Sequence, residues 1–179
     1  MSHEKPLRIV LVGMMGSGKT TVASSLAERF SVAHIDTDTE VELALGCSCA
    51  EAFSRFGELK FRETESRILK RVLDETQGSS CVVSLGGGAV LSEENRDLIQ
   101  GAGTVVWLRA RIETLEERVG AGTGRPLLAG GVRSSLEGIL IERGPTYEEL
   151  ATVVVDVDDQ DVSDVVETIA DRLGERCEK

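Results

Sequence analysis

The residues with the clearest chemical meaning form a glycine-rich segment over 13–20, which reads Gly-Met-Met-Gly-Ser-Gly-Lys-Thr. It follows an apolar run and precedes a stretch with helical spacing, the context in which G-x-x-x-x-G-K-[ST] binds nucleotide phosphates. Glycines let backbone N–H groups turn inward around an anion, and the next helix adds its positive end. Lys19 would contact the β- and γ-phosphates, and Thr20 would ligate Mg²⁺. The contacts expected for a nucleoside triphosphate are Met15, Gly16, Ser17, Gly18, Lys19, Thr20 and Thr21.

Two carboxylates, Asp36 and Asp38, follow the next apolar run. Ligands of open parallel sheets bind outside the carboxyl ends of the strands, and residues two apart in extended backbone face the same side. Phosphoryl transfer to an alcohol needs an oriented hydroxyl, a proton acceptor and Mg²⁺. We expect Asp36 to serve the metal and accept the proton, and Asp38 to bind hydroxyls of the acceptor. The alternative for each is an N-cap of the following helix.

Three successive glycines, Gly86, Gly87 and Gly88, follow a third apolar run. Such a segment exposes backbone N–H groups and lets a ligand touch the main chain. The alternative is a simple turn, which needs only one or two glycines. We therefore expect these residues to contact the acceptor.

Four arginines are candidates for binding anions. The guanidinium groups of Arg62 and Arg143 could each hold a carboxylate by two hydrogen bonds, although either residue taken alone could be a surface charge. Arg118 and Arg125 flank and occupy the segment 120–131, which has five glycines and no helical or strand period. Segments of this kind are lids or disordered stretches, and the arginines with a Pro-Leu-Leu run favour a lid. Arg125 would then reach the transferring phosphoryl group.

The remaining sequence supplies strands and helices in alternation, which predicts a parallel sheet covered by helices. Apolar runs of strand length, continuous as in strands covered on both faces, lie at 7–12, 32–36, 81–85, 104–109 and 152–157. Helical patterns lie at 20–30, 37–45, 49–56, 58–76, 92–100, 112–119, 132–143 and 163–177. The Gly144-Pro145 pair is expected to break the helix that contains Arg143.

Composition limits the possible partners. The 179 residues, 41% hydrophobic and 28% charged, predict one globular domain over 1–179. A net charge of −11 argues against nucleic acid and anionic membranes as partners. No apolar run approaches the length of a membrane span, and no leader is evident at the start. We expect a cytoplasmic monomer with reduced cysteines, and we assign Cys47 and Cys49 no role beyond packing.

Taken together, these segments resemble the shikimate kinase family, in order and over essentially the whole sequence. The residues that carry the resemblance are 13–20, Asp36-x-Asp38, Phe61-Arg62-x-x-Glu65, Gly86-Gly87-Gly88, Arg125-Pro126-Leu127-Leu128 and Arg143-x-Pro145-x-Tyr147. The resemblance implies ATP-dependent phosphorylation of the 3-hydroxyl of shikimate, on the route to chorismate and aromatic amino acids. It also implies a three-layer P-loop kinase fold of the nucleoside monophosphate kinase type, with a five-stranded parallel sheet of order 2-3-1-4-5 and a mobile lid.

The resemblance further implies a role for each matched residue. Asp38 would bind shikimate hydroxyls, Arg62 and Arg143 its carboxylate, and Gly86, Gly87 and Gly88 would line the acceptor site. The acceptor helices would lie at about 37–76 and the lid at about 118–132. Lys19, Asp36 and Arg125 would be catalytic, and Thr20 and Asp36 would hold Mg²⁺. Arg118 would stack on adenine, with Gln160 as a further nucleotide contact.

Two departures and two alternatives accompany this prediction. The loop 158–161 reads Asp-Asp-Gln-Asp, which is acidic for a nucleotide site, and Glu148-Glu149 stands where basic residues are frequent. One alternative is a kinase of another small polyhydroxy acid such as gluconate. The other is a regulatory module that binds nucleotide without transferring phosphate.

Overall fold

The computed structural model describes residues 6–122, 126–128 and 130–177. Five strands and seven helices lie along these segments, with one or two helices between successive strands. The strands are β1 (Arg8–Val12), β2 (Ala33–Asp36), β3 (Cys81–Ser84), β4 (Thr104–Arg109) and β5 (Val153–Asp156). The helices are α1 (Lys19–Phe30), α2 (Thr37–Leu45), α3 (Cys49–Glu75), α4 (Glu93–Ala102), α5 (Ile112–Val119), α6 (Val132–Leu150) and α7 (Val162–Cys177). Short 3₁₀ turns occupy Ala89–Leu91 and Pro126–Leu128.

The strands form one parallel sheet in the order β2-β3-β1-β4-β5, so the fold predicted from the sequence is confirmed. The central strand β1 is nearly inaccessible to solvent, since Ile9, Val10 and Leu11 have no exposed surface. Burial on both faces explains why its apolar residues are continuous rather than alternating. The parallel arrangement places the segments after β1, β2 and β3 at one edge of the sheet, where the candidate residues lie.

Helix α3 divides at Gly57, whose φ of 79° and ψ of 165° are not helical. The predicted division into helices over 49–56 and 58–76 is therefore correct in substance. The first part begins with a capping box, in which Ser48 accepts a hydrogen bond from the Glu51 N–H and the Glu51 side chain accepts one from Ser48. The second part carries the Arg62 and Glu65 side chains toward the sheet edge.

The predicted end of the helix at 143 is wrong, because α6 continues through Pro145 to Leu150. Proline lacks the N–H that would bond to the carbonyl of residue 141, so it costs one helical hydrogen bond. The helix nevertheless gains the burial of Tyr147 and Leu150, which are 0% and 4% exposed. Packing of these side chains against the core explains why the Gly-Pro pair does not end the helix.

The part of the chain that the structure describes contains no helix long and apolar enough to cross a membrane. Three cysteines in that part, Cys47, Cys49 and Cys81, carry free thiols.

Candidate active site

A cleft of about 820 Å³ opens at the carboxyl ends of β1, β2 and β3. It brings together most of the residues predicted from the sequence, namely Met15, Gly16, Gly18, Lys19, Thr20, Thr21, Asp36, Asp38, Arg62, Gly86, Gly87, Gly88, Arg118 and Arg143. Ser17 is buried and Gln160 lies on the surface, and neither lines this cleft. Arg125 lies outside the described residues. The cleft therefore joins the phosphate loop to the acidic, glycine-rich and basic segments that follow it in the sequence.

The phosphate loop is held in shape by its own backbone and by α5. Gly16 and Gly18 have φ angles of 81° and 87°, which other residues rarely adopt. A β-carbon on Gly16 would lie 2.9 Å from Val119 Cγ2, so this position also requires the absence of a side chain. Lys19 Nζ donates to the carbonyl oxygens of Gly13 at 2.9 Å and Met14 at 2.8 Å. These bonds hold the ammonium group against the backbone of the loop.

Asp36 accepts four hydrogen bonds. Its Oδ2 accepts from Thr20 Oγ1 at 2.8 Å and from Ser84 Oγ at 2.7 Å, and its Oδ1 accepts from the N–H groups of Asp38 and Thr39. Burial alone would raise the pKa of Asp36, but the hydrogen bonds outweigh it and lower the pKa. The N-cap alternative is correct for this residue, which caps α2 and lines the cleft at the same time.

Asp38 differs from Asp36 in its surroundings. Its side chain faces the cleft, and displacement of water by the cleft wall, with the negative charge of Asp36, raises its pKa. The sequence places the two carboxylates two residues apart, yet the structure pushes their pKa values in opposite directions. Such a divergence is typical of carboxylates with different roles at one site.

The Gly86–Gly88 segment fits against side chains of the protein as well as facing the cleft. A β-carbon on Gly86 would collide with Asp38 Oδ1, and one on Gly88 would collide with the Arg62 guanidinium. The Gly86 N–H donates to Thr37 Oγ1 at 3.0 Å, so this group is not available to a ligand. The glycines are therefore required first for space, and the exposed N–H groups expected from the sequence are only part of the explanation.

Arg62 and Arg143 form the basic side of the cleft. Arg62 Nη1 pairs with Glu65 Oε2 at 2.8 Å, and the Glu65 side chain is only 3% exposed. Burial raises the pKa of Glu65, and the charge of Arg62 acts against it. Arg143 is also buried. Within the described residues, the Nε atoms of both arginines are buried without a hydrogen-bond acceptor. A half-buried guanidinium, that of Arg62, and a buried one, that of Arg143, therefore line the same cleft.

The motifs that contain Tyr147 and Glu65 do not by themselves indicate a function for either residue. Tyr147 Oη donates to the Gly87 carbonyl oxygen at 2.6 Å, and burial raises the pKa of this hydroxyl to about 12. The Arg143-x-x-x-Tyr147 spacing, four residues apart on a helix, is the signal that could have placed both side chains on one face.

The acidic loop after β5 is balanced by arginines that follow β4. Asp158 accepts hydrogen bonds from the Arg111 N–H at 3.0 Å and from Thr114 Oγ1 at 2.6 Å, and Asp159 pairs with Arg111 Nη2 at 2.6 Å. Arg118 Nη2 donates to the Val157 carbonyl oxygen at 3.0 Å. The loop therefore supports α5, which explains an acidic composition close to the expected nucleotide site.

Comparison with known proteins supports this arrangement. The family model described as shikimate kinase matches residues 15–174. This chain belongs to the shikimate kinase family. It is 43% identical to the shikimate kinase of Frankia casuarinae over 166 residues, which cover 93% of this chain and 72% of that protein. It is 40% identical to the shikimate kinase of Ruegeria pomeroyi over 169 residues, which cover 94% and 85% of the two chains. Membership of the family makes the chain an enzyme, a phosphotransferase.

Solved structures agree with the family assignment. The shikimate kinase of Acinetobacter baumannii in complex with shikimate superposes with a TM-score of 0.91 at 30% identity and covers 97% of this chain and 96% of that one. The shikimate kinase of Aquifex aeolicus superposes with a TM-score of 0.81 at 31% identity over 96% and 98% of the chains. A gluconokinase of Sinorhizobium meliloti, 23% identical with a TM-score of 0.59 over 98% and 97% of the chains, shares the fold alone.

Proposed function

We propose that this protein transfers the γ-phosphoryl group of ATP to the 3-hydroxyl of shikimate, in the biosynthesis of chorismate and aromatic amino acids. The observation that carries the proposal is the single cleft that contains Lys19 of the phosphate loop together with Asp38, Arg62 and Arg143. A triphosphate on the loop and an anionic polyol on the other side would meet inside it. The gluconate alternative is supported by a likeness of fold alone.

The basic side of the cleft suits a carboxylate. A carboxylate between Arg62 and Arg143 would receive charge-assisted hydrogen bonds, which are about twice as strong as neutral ones. The Arg62–Glu65 ion pair would fix the direction of the Arg62 guanidinium before the acceptor arrives. Asp38 would accept hydrogen bonds from hydroxyls of the acceptor, and Gly86–Gly88 would allow its ring to lie against the backbone.

Thr20 and Asp36 fit a magnesium ion that arrives with the nucleotide. They offer a hydroxyl oxygen and a carboxylate oxygen 2.8 Å apart, and hard oxygen atoms are the ligands Mg²⁺ prefers. Because Thr20 gives its proton to Asp36, its lone pairs stay available to a cation. The bound ion would offset negative charge on the β- and γ-phosphates.

The proton of the attacking hydroxyl is better suited to Asp38 than to Asp36. Four donors stabilise the charged form of Asp36 and make it a weak base. Asp38 has a raised pKa and faces the acceptor side of the cleft. We therefore assign proton acceptance to Asp38 and keep Asp36 for the metal, which revises the division of roles expected from the sequence.

The nucleotide side completes the proposal. Lys19 would contact the β- and γ-phosphates, and Arg118, at the end of α5, would lie against the base. Arg125 would reach the phosphates from a lid at about 118–132, whose closure would exclude water and prevent hydrolysis of ATP. We propose that 1–179 acts as one domain, and a cytoplasmic monomer remains our prediction.

A coupled assay of ADP release, run with a panel of hydroxy acids, tests the function. ADP release that depends on shikimate supports the proposal, and release that depends on gluconate instead refutes it. Failure of every acceptor to stimulate release, with ADP binding intact, would favour the regulatory module. Asp38→Ala and Arg62→Ala should each abolish shikimate binding in calorimetry while nucleotide binding survives.

A further inference from the structure

The metal side of the cleft is connected to a residue that no motif explains. His34 lies on β2, and its Nε2 is 2.9 Å from Ser84 Oγ. Ser84 Oγ in turn donates to Asp36 Oδ2 at 2.7 Å, and the same oxygen accepts from Thr20 Oγ1. A series of hydrogen bonds therefore runs from His34 through Ser84 to Asp36, outside the residues that would contact either substrate.

The sheet explains why these three side chains meet. His34 and Asp36 are two residues apart on β2 and so point to the same face. Ser84 pairs with Asp36 in the parallel register of β2 and β3. The series is therefore held by backbone pairing at the edge of the sheet, and its members do not depend on a flexible loop.

The directions of the hydrogen bonds follow from the number of protons. Ser84 has one hydroxyl proton, which it gives to the carboxylate of Asp36. The Ser84 oxygen can only accept from His34, so Nε2 of the imidazole must carry hydrogen. This donation occupies a lone pair of Ser84 and prevents its hydroxyl from rotating away from Asp36.

We propose that His34 is a positioning residue, which holds the Ser84 hydroxyl on Asp36 Oδ2 and so fixes the carboxylate oxygen that meets the nucleotide-bound metal. The inference rests on the proposed function in that it takes Asp36 and Thr20 as the metal ligands. Outer partners of this kind commonly set the orientation of a ligand and its affinity for metal. Without the histidine, Asp36 keeps its hydrogen bonds from Thr20 and from the N–H groups of Asp38 and Thr39, but the Ser84 hydroxyl is no longer held on Oδ2.

The test is the affinity of Mn²⁺ for the complex of the full-length protein with ADP, measured from the electron paramagnetic resonance signal of free Mn²⁺. Mn²⁺ shares the preference of Mg²⁺ for carboxylate and hydroxyl oxygen. His34→Leu removes the donor, and we expect Mn²⁺ binding to weaken about 2- to 10-fold, the range for loss of one neutral hydrogen bond. His34→Gln places an amide N–H near the position of Nε2, and it should restore most of the affinity.

Further measurements separate positioning from general damage to the fold. The affinity for ADP without metal and the KM for shikimate should not change in His34→Leu. Ser84→Ala should weaken Mn²⁺ binding. Adding His34→Leu to it should have no further effect, because without the Ser84 hydroxyl His34 has no hydrogen-bonded route to Asp36. Ser80→Ala is the matched control: it removes a serine hydroxyl that accepts from the Leu7 N–H near the opposite end of β3, and Mn²⁺ binding should not change.

The outcomes distinguish this inference from the proposed function. If Asp36→Asn leaves Mn²⁺ affinity unchanged, the metal site itself is wrong. If Asp36→Asn weakens binding but His34→Leu does not, only the role of His34 is refuted. Additive losses in His34→Leu and Ser84→Ala would also refute it. If the Ser84 variant does not fold, the comparison of His34→Leu with His34→Gln still decides the question.

Discussion

Tyr147→Phe removes a single buried oxygen and tests how the acceptor side of the cleft is held. The lost group donates to the Gly87 carbonyl at 2.6 Å, and the tyrosine has no exposed surface. Removing one partner of a buried hydrogen bond costs about 1–3 kcal/mol. At about 2 kcal/mol, a protein of this size should lose about 4–8 °C in Tm.

The same substitution should affect shikimate more than ATP. A β-carbon at Gly87 would lie 3.5 Å from Tyr147 Oη and 3.8 Å from Arg143 Nη1, so the hydroxyl, the glycine and the arginine are neighbours. Loosening Gly87 should therefore raise the KM for shikimate by about 3- to 10-fold, the equivalent of one hydrogen bond, with no change in the affinity for ADP.

The assay combines thermal unfolding with steady-state kinetics and calorimetry of ADP binding. Thr76→Val is the matched control, because it also removes a hydroxyl that donates to a backbone carbonyl, that of Val72 at 2.7 Å, away from the cleft. It should lower Tm without changing the KM for shikimate. A Tyr147→Phe variant with the stability and KM of the unmodified protein would refute the role assigned to this hydrogen bond. So would an equal loss of affinity for both substrates.

Three further predictions concern other parts of the cleft. Gly88→Ala places a methyl group against the Arg62 guanidinium and should raise the KM for shikimate at least about 10-fold, with normal ADP binding in calorimetry; an unchanged KM would contradict it. Because the pKa of Asp38 is raised in the folded protein, its charge costs stability above that pKa, and the cost decreases as pH falls from there to the lower pKa of the unfolded chain. Asp38→Asn should therefore be more stable than the unmodified protein at pH 7 in urea unfolding, with a difference that shrinks in acid, while phosphorylation is lost; a less stable variant would refute this. Asp158→Ala removes the acceptor of the Arg111 N–H and should weaken ATP binding about 5-fold without changing shikimate binding, whereas losses for both substrates would indicate a wider disturbance.

The fold could be predicted from the sequence because its signals are local. Strands covered on both faces must be apolar without interruption, and the phosphate loop follows a strand and begins a helix in almost any such protein. The order of the strands came from the resemblance to a family, since apolar runs alone do not say which strands are neighbours. The split of α3 at Gly57 was also visible, because a glycine in a helical pattern marks a possible break.

Three features that the sequence does not predict depend on tertiary packing. The helix-breaking cost of Pro145 is local, but the burial that offsets it comes from Tyr147 and Leu150, which meet residues distant in sequence. The roles of Asp36 and Asp38 could not be separated from spacing, because the pKa of each depends on which donors and charges surround it. The series of hydrogen bonds from His34 to Asp36 depends on the register between β2 and β3, which cannot be derived from the sequence alone.

The distribution of charge has a consequence for how substrates arrive. The protein carries a net charge of −11, and the Arg62 guanidinium in the cleft is paired with Glu65. The charge of Arg62 is thus partly neutralised, while the net charge of the protein repels an anion at long range. Dissolved salt shortens the reach of that repulsion to about 8 Å at physiological strength. A higher ionic strength should therefore increase the association rates of both anionic substrates. In proteins that attract anionic substrates through a broad positive surface, it decreases those rates.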